Sequence, residues 1–524
     1  MRTNKTRGGA GIPARIFGSL WVPAAAALAL LILACPSGPE DGSAGEKVLD
    51  TRLFWAQDFN TRQYYRTTAD LLAEGRYCKI WVEQTAKGRA GSATARDIAD
   101  AYDTLIYPRM IEVFSIGPIL DSSGAVVAGN TLELADWMTD RDGKLNILFL
   151  DIRDASAEGT NYVGGYFWMG NFYKPNPAVD WSQYSNSVDM IYIDTDPGRP
   201  GETESFMTLA HEMQHLMNFV TSSLTRKNAG GFYLMDTWID EGLSSAAEYI
   251  YLGLYDKKRY GWFNDDLQGT IAKGNNFFVW GNYQGNSLLD DYATVYLFFQ
   301  WLRIQSESEG IYKRIIRSEN YDYRAVTRAA DTVMPGAGYA DWGTLLKTWL
   351  AANYINASSG PYGYRGEPGL SSVRAKTVPG NSLDLLPGEG VYSLTQTGGE
   401  LSSYASGSGS HIKYAGLNKA TGELNDAQAF AGGWLLTYNA NTDIEGRKET
   451  GRLSGTAASV QARALGGGDA SRSRSAAQGA GEGPVRIDAR DMLARRGLSG
   501  EGVFGRSALP LGFNAAAGEA YEED

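Results

Sequence analysis

Residues 208–219 read TLAHEMQHLMNF and hold two of the three histidines in a chain of 524 residues. His211 and His215 stand four positions apart, with Glu212 beside the first. On an α-helix, positions i and i+4 lie on one face, one turn apart. Two imidazoles so placed can share one zinc ion, at about 2.0–2.1 Å each. Glu212 is rotated roughly a third of a turn off that line. It is poorly set to be a third ligand in the row, but it can reach a water beside the ion and act as a general base. Phe206, Leu209, Ala210, Met213, Leu216 and Met217 form an apolar stripe. The spacing predicts a helix buried on one side, with its histidines turned toward a cavity.

Catalytic zinc needs a third protein ligand and an open fourth position. The metzincin pattern places glycine three residues after the second histidine and histidine three further on. Those positions are Asn218 and Thr221, which excludes that class. The third histidine, His411, sits in the Gly/Ser-rich stretch SGSHIKY and reads as a surface or loop residue. A carboxylate is left. TWIDEGLSSAAEY, residues 237–249, supplies Glu241 and Glu248, seven apart and on one helix face. Ile239, Leu243, Ala246 and Ala247 give that helix a packed side, and a buried carboxylate needs a partner. A solvated surface role for either glutamate is the alternative.

Trp238-Ile-Asp-Glu241-Gly-Leu resembles the W-[LI]-x-E-G-[LF] signature of gluzincin metallopeptidases. The sequence is more similar to the hyicolysin-like family of secreted bacterial zinc peptidases. That likeness runs from about Arg52 to Ile355 through an LFLDI strand, a GGYF segment, A-H-E-x-x-H and W-I-x-E-G-L-S. It implies a zincin-like α+β catalytic domain, a sheet followed by a helical lobe. It also implies one zinc ion held by His211, His215 and Glu241, with Glu212 as base and Glu248 as an outer or structural carboxylate. Many gluzincins place an oxyanion-holding tyrosine on a later helix. DYATVYLFFQWL is similar in layout and offers Tyr292 for that role, with plain core packing as the alternative.

The activity so implied is zinc-dependent endoproteolysis, with protein or peptide substrates. An extended substrate could pair with a sheet edge. GGYFWMGNFY, within 163–173, is the candidate edge strand, and an aromatic core strand is its other reading. No G-x-M-E-N-type segment precedes the histidine helix, as an aminopeptidase would need. A binding protein or adhesin with a structural or vestigial zinc site is the competing class. The intact Glu212 argues against it, since a structural site requires ligands but no base.

The rest of the chain sets the context. A net charge of −12 opposes a nucleic-acid surface, which requires a basic field. Arg2, Lys5, Arg7 and Arg15 precede the apolar run Val22 to Ala34, shorter than a spanning helix. The run ends at Ile32-Leu33-Ala34-Cys35, which resembles a bacterial lipobox with Cys35 as the lipidated residue. An ordinary secretory signal is the alternative. The only other cysteine, Cys78, then has no intrachain partner, and it reads as a small buried residue of a strand. The expected organisation is a signal peptide over 1–34, a flexible tether over 35–50 and the peptidase domain over 51–360. A small β-rich region over 370–446 and a low-complexity, disordered tail over 447–524 complete it. The expected location is the cell envelope, held to the membrane by the N-terminal lipid.

Strands are expected at 78–84, 144–152 and 187–196, and helices at 97–114, 236–253 and 341–355. Ser287-x-x-Asp290 reads as the cap of a further helix.

Overall fold

A computed structural model describes residues 48–454, apart from residues 115, 122, 128–141, 155–161, 224–233, 275–276 and 281–287. Cys35, the signal and most of the tether, the tail beyond 454 and the Ser287 cap lie outside the described residues. The fold is α+β. A six-stranded sheet is formed by β1 (Asp50–Asp58), β2 (Gln63–Glu74), β3 (Cys78–Glu83), β4 (Leu145–Leu150), β5 (Gly165–Phe167) and β6 (Met190–Asp194). Its order is β1-β2-β3-β4-β6-β5. β3, β4 and β6 run parallel, whereas β1, β2 and β5 pair antiparallel with their neighbours.

The central strands are buried on both faces, which is why LNILFL and MIYID are apolar or aromatic apart from Asn146 and Asp194. Alternate residues go to opposite cores. Ile147, Phe149, Ile191 and Ile193 face the helices. Leu148, Leu150, Met190 and Tyr192 face a second core with Phe54 and Trp81. That second core is closed by curling the sheet. Asn186, just before β6, donates to Trp55 O at 2.9 Å and accepts from Trp55 N at 2.8 Å on β1, while Gln57 N donates to the Tyr166 hydroxyl at 3.1 Å. Cys78 is fully buried in β3, and burial pushes its thiol up to about 12.

Helices α1 (Ser92–Ala101) and α2 (Tyr107–Val113) intervene between β3 and β4. The helix expected at 97–114 therefore starts five residues earlier. The chain then returns to the sheet before α3 (Thr203–Asn218) and the helical lobe. That lobe comprises α4 (Thr237–Leu252), α5 (Lys257–Asp265), α6 (Thr270–Gly274), α7 (Leu288–Ser306), α8 (Gly310–Ile316), α9 (Tyr323–Val333) and α10 (Trp342–Ile355). α4 stops at Gly253, whose φ of +69° closes the helix in the left-handed region that glycine tolerates. Among the described residues, no helix is long and apolar enough to cross a membrane.

Beyond α10, strands Glu423–Asn425, Ile412–Asn418, Trp434–Asn439 and Gly390–Leu394 form a four-stranded sheet in that order. Tyr392, Leu436 and Tyr438 of these strands join the core of the helical lobe. Strand Glu449–Arg452, past the expected boundary at 446, pairs with Ser382–Leu385.

Two buried carboxyls give the fold a pH dependence. Burial pushes Asp194 up to about 8, against backbone donors Ile152 N at 3.0 Å and Gly198 N at 2.8 Å. Burial likewise pushes Glu389 up to about 7; its one backbone donor is Leu386 N at 2.6 Å. Both folded values exceed the ordinary ones, so the native state keeps protons that the unfolded chain releases. Their contribution is complete below about pH 4 and is lost as pH rises through about 7 and 8. Denaturant midpoints should therefore fall between pH 5 and pH 8. Glu389→Gln should flatten that fall, at about 1.4 kcal/mol for each tenfold difference in proton affinity that it removes.

Candidate metal centre

α3 and α4 pack against each other, and the centre forms on their facing sides. Ser205 and Met207–Asn218 of α3 are buried. The expectation of a helix buried on one side only is therefore wrong. The sheet covers the apolar stripe and α4 covers the polar face, so His211 and His215 are 2% and 1% exposed. The nearby cavity, about 1160 Å³, is lined on α3 by Glu204, Ser205 and Thr208, not by the histidines. It opens at the N-terminal end of β5, one helical turn ahead of Glu212.

His211, His215 and Glu241 converge. One donor atom from each lies within 4.8 Å of the other two. Glu241 Oε2 is 3.6 Å from His211 Nε2 and 3.5 Å from His215 Nε2. Two imidazole nitrogens and a carboxylate oxygen form a donor set that suits a divalent ion of the zinc type.

The other ring nitrogens are held by carboxylates. His211 Nδ1 is 3.0 Å from Glu248 Oε1. His215 Nδ1 is 3.0 Å from Asp240 Oδ2 and 3.0 Å from Ser244 Oγ. A carboxylate oxygen accepts, so each Nδ1 carries the hydrogen and each Nε2 keeps its lone pair toward Glu241. Asn218 Nδ2 donates to Asp240 Oδ1, and Ser244 Oγ donates to Gln214 Oε1 at 2.5 Å. Glu248 therefore faces the outer side of a histidine and not the converging nitrogens. Glu241 and Glu248 are not equivalent, although seven residues share a face on an ideal helix.

Glu212 is 2% exposed and is not a member of the converging donor set. It lies under β5. A Cβ placed on Gly165 would sit 3.0 Å from Glu212 Cγ, 2.8 Å from Thr208 Cγ2 and 2.8 Å from Tyr192 O. β5 thus touches α3 at the glutamate, and only glycine permits the approach. Both readings of the GGYF segment hold in part. β5 is the last strand of the sheet, and its three residues are buried. Gly165→Ala should displace strand or glutamate and lower kcat/KM by about 10²-fold, the order that a 1 Å misplacement costs. Steady-state peptide hydrolysis at unchanged metal content checks this.

Tyr292 lies on α7 with its ring 1% exposed, packed edge-on to Trp280 at 5.1 Å. Its hydroxyl donates to Glu241 Oε2 at 3.1 Å. Packing and a place in the centre are thus not alternatives here. α4 reaches α7 closely because Gly242 follows Glu241. A Cβ there would sit 2.2 Å from Phe299 Cε2. Trp238 anchors the same helix among Phe277, Phe278, Phe298, Phe299 and Trp342, with centroids 5.3–6.2 Å away. His411 is exposed, bonds to Glu449 and lies outside the centre.

Asp240, Ser244 and Gly165 escaped the sequence reading. Asp240 and Ser244 are spaced i, i+4 on the same helix as Glu241, which was a usable signal. No spacing rule points to Gly165, because its constraint comes from a strand crossing a helix.

No family model matches the sequence. The chain is similar to neutral metalloprotease ShpI of Staphylococcus hyicus, at 29% identity over 347 residues, covering 65% of this chain and 70% of that protein. A stretch covering 65% of the chain necessarily includes its middle, where His211, His215, Glu241 and Tyr292 lie. The likeness is to a metallopeptidase, and the centre described above provides the donors such a protein requires.

Proposed function

We propose that this protein is a zinc-dependent endopeptidase. The observation that carries the reading is the meeting of His211 Nε2, His215 Nε2 and Glu241 Oε2, with Glu212 one residue after His211 on the same helix and outside the donor set. The likeness to a protein named as a neutral metalloprotease supports it. The residues fit one zinc ion per chain: three N/O donors, both imidazoles held by carboxylates at Nδ1, and no fourth side chain in the set among the described residues. Bound there, zinc supplies Lewis acidity, which makes water nucleophilic near neutral pH and polarises a carbonyl.

The chain's own residues do the rest. Glu248 and Asp240 hold the two rings in the tautomer with free Nε2 lone pairs. Glu212 accepts the proton of the attacking water and delivers it to the leaving amine. The Tyr292 hydroxyl, whose single O–H donates to Glu241 Oε2 in this structure, turns that hydrogen to the carbonyl oxygen as it gains charge. β5 holds an extended substrate by its backbone, having β6 on one side and no paired strand on the other among the described residues. The run Val22–Ala34 followed by Cys35 supports export and lipid attachment to a membrane.

Casein hydrolysis by the purified protein should be abolished by a chelator and restored by zinc. Internal peptide bonds should be cut in preference to single-residue amides. A zinc-loaded, folded protein that cuts neither would instead be a binding protein with a structural metal.

A further inference from the structure

Arg259 lies on α5, outside every stretch that defines the centre, and is only 6% exposed. Its Nη2 stands 3.2 Å from Glu248 Oε1, the same oxygen that faces His211 Nδ1 at 3.0 Å. Its Cζ lies 4.6 Å from the centroid of the Tyr292 ring, whose hydroxyl donates to Glu241 Oε2. Asp256 Oδ2 is 3.8 Å from its Nε. Burial works against the guanidinium charge, but Glu248 and Asp256 outweigh it and hold the group protonated more firmly than usual. A planar guanidinium can bond a carboxylate along its edge and cover an aromatic ring with its face. An ammonium can meet the carboxylate but cannot stack.

We propose that Arg259 is a positioning residue for the centre, fixing the His211 ring through Glu248 and the Tyr292 hydroxyl through the face of the Tyr292 ring. One cation thereby couples the orientation of a metal ligand to that of the oxyanion donor. The two tasks demand different properties. The first requires a positive charge at Glu248, and the second a flat surface against Tyr292. This inference rests on the centre being a catalytic zinc site, as proposed above.

The two tasks separate by substitution. Zinc affinity is measured on metal-free protein by competition with a chromogenic chelator, and kcat and KM on a quenched peptide after reloading. Arg259→Met should weaken zinc binding by about 10-fold, the low end of the range for losing an outer partner of a ligand, because Arg259 acts on His211 through Glu248. Arg259→Lys should hold affinity within about threefold of wild type, since it keeps a charge at Glu248. It should still lower kcat with KM little changed, the result also expected of Tyr292→Phe. The double variant Arg259→Lys/Tyr292→Phe should be no slower than Tyr292→Phe alone.

Unchanged zinc affinity in folded Arg259→Met overturns the His211 arm. Losses in kcat that multiply in the double variant overturn the Tyr292 arm. Should Arg259→Met fail to fold, the lysine and phenylalanine variants carry the test. Wild-type protein that binds zinc but cuts no peptide refutes the catalytic reading and with it the Tyr292 arm, while the affinity series still decides the link through Glu248. Wild-type protein that takes up no zinc ends both.

Discussion

Glu212→Gln should lower kcat on peptide substrates by roughly 10²–10⁴-fold, the contribution of a positioned general base, while the protein keeps one equivalent of zinc. The amide matches the carboxylate in shape, so the packing of the side chain under Gly165 of β5 survives and the helix is undisturbed. What goes is the ability to accept a proton. Because Glu212 is not one of the converging donors, its loss should leave the metal bound. Metal analysis and hydrolysis on the same preparation read the two effects separately. A variant that loses its zinc would place Glu212 among the ligands, and a fully active one would leave the reaction without its base.

Glu241→Ala should have the opposite signature. It removes the one carboxylate that faces both Nε2 atoms, at 3.6 and 3.5 Å. Zinc affinity should fall by more than the roughly 10–100-fold that an outer partner is worth, and hydrolysis should fall with it. Glu248→Gln is the matched control, since Glu248 meets His211 at Nδ1 and not at Nε2. It should weaken zinc within that smaller range. A reversed ranking would show that α4 presents a different residue to the metal than its geometry implies.

The sequence and the structure overlap most where a single element carries the information. The pair His211/His215 and the positions of strands 78–83, 145–150 and 190–194 were legible because helix spacing and apolar runs are local properties. The β1–β2 hairpin went unread. Its strand residues, such as Arg52, Trp55 and Tyr64, alternate weakly because the curled sheet buries only part of them. The full burial of α3 was hidden for a related reason. An apolar stripe announces one packed face, but the polar face of α3 is covered by the polar face of α4, and no periodicity marks that contact. Seven-residue spacing put Glu241 and Glu248 on one face. Only the crossing of α3 and α4 makes one of them meet two Nε2 atoms and the other an Nδ1. Arg259 was invisible because its partners come from α4 and α7, and nothing in KKRYGWFND distinguishes it from a surface arginine.

The most direct test of the centre is anomalous scattering at the zinc absorption edge from crystals of the zinc-loaded protein. One peak within bonding distance of His211 Nε2, His215 Nε2 and the Glu241 carboxylate, with a coordination position left for solvent, is the expected result. A peak ligated by Glu248 in place of Glu241, or one that does not touch both histidines, would contradict the assignment.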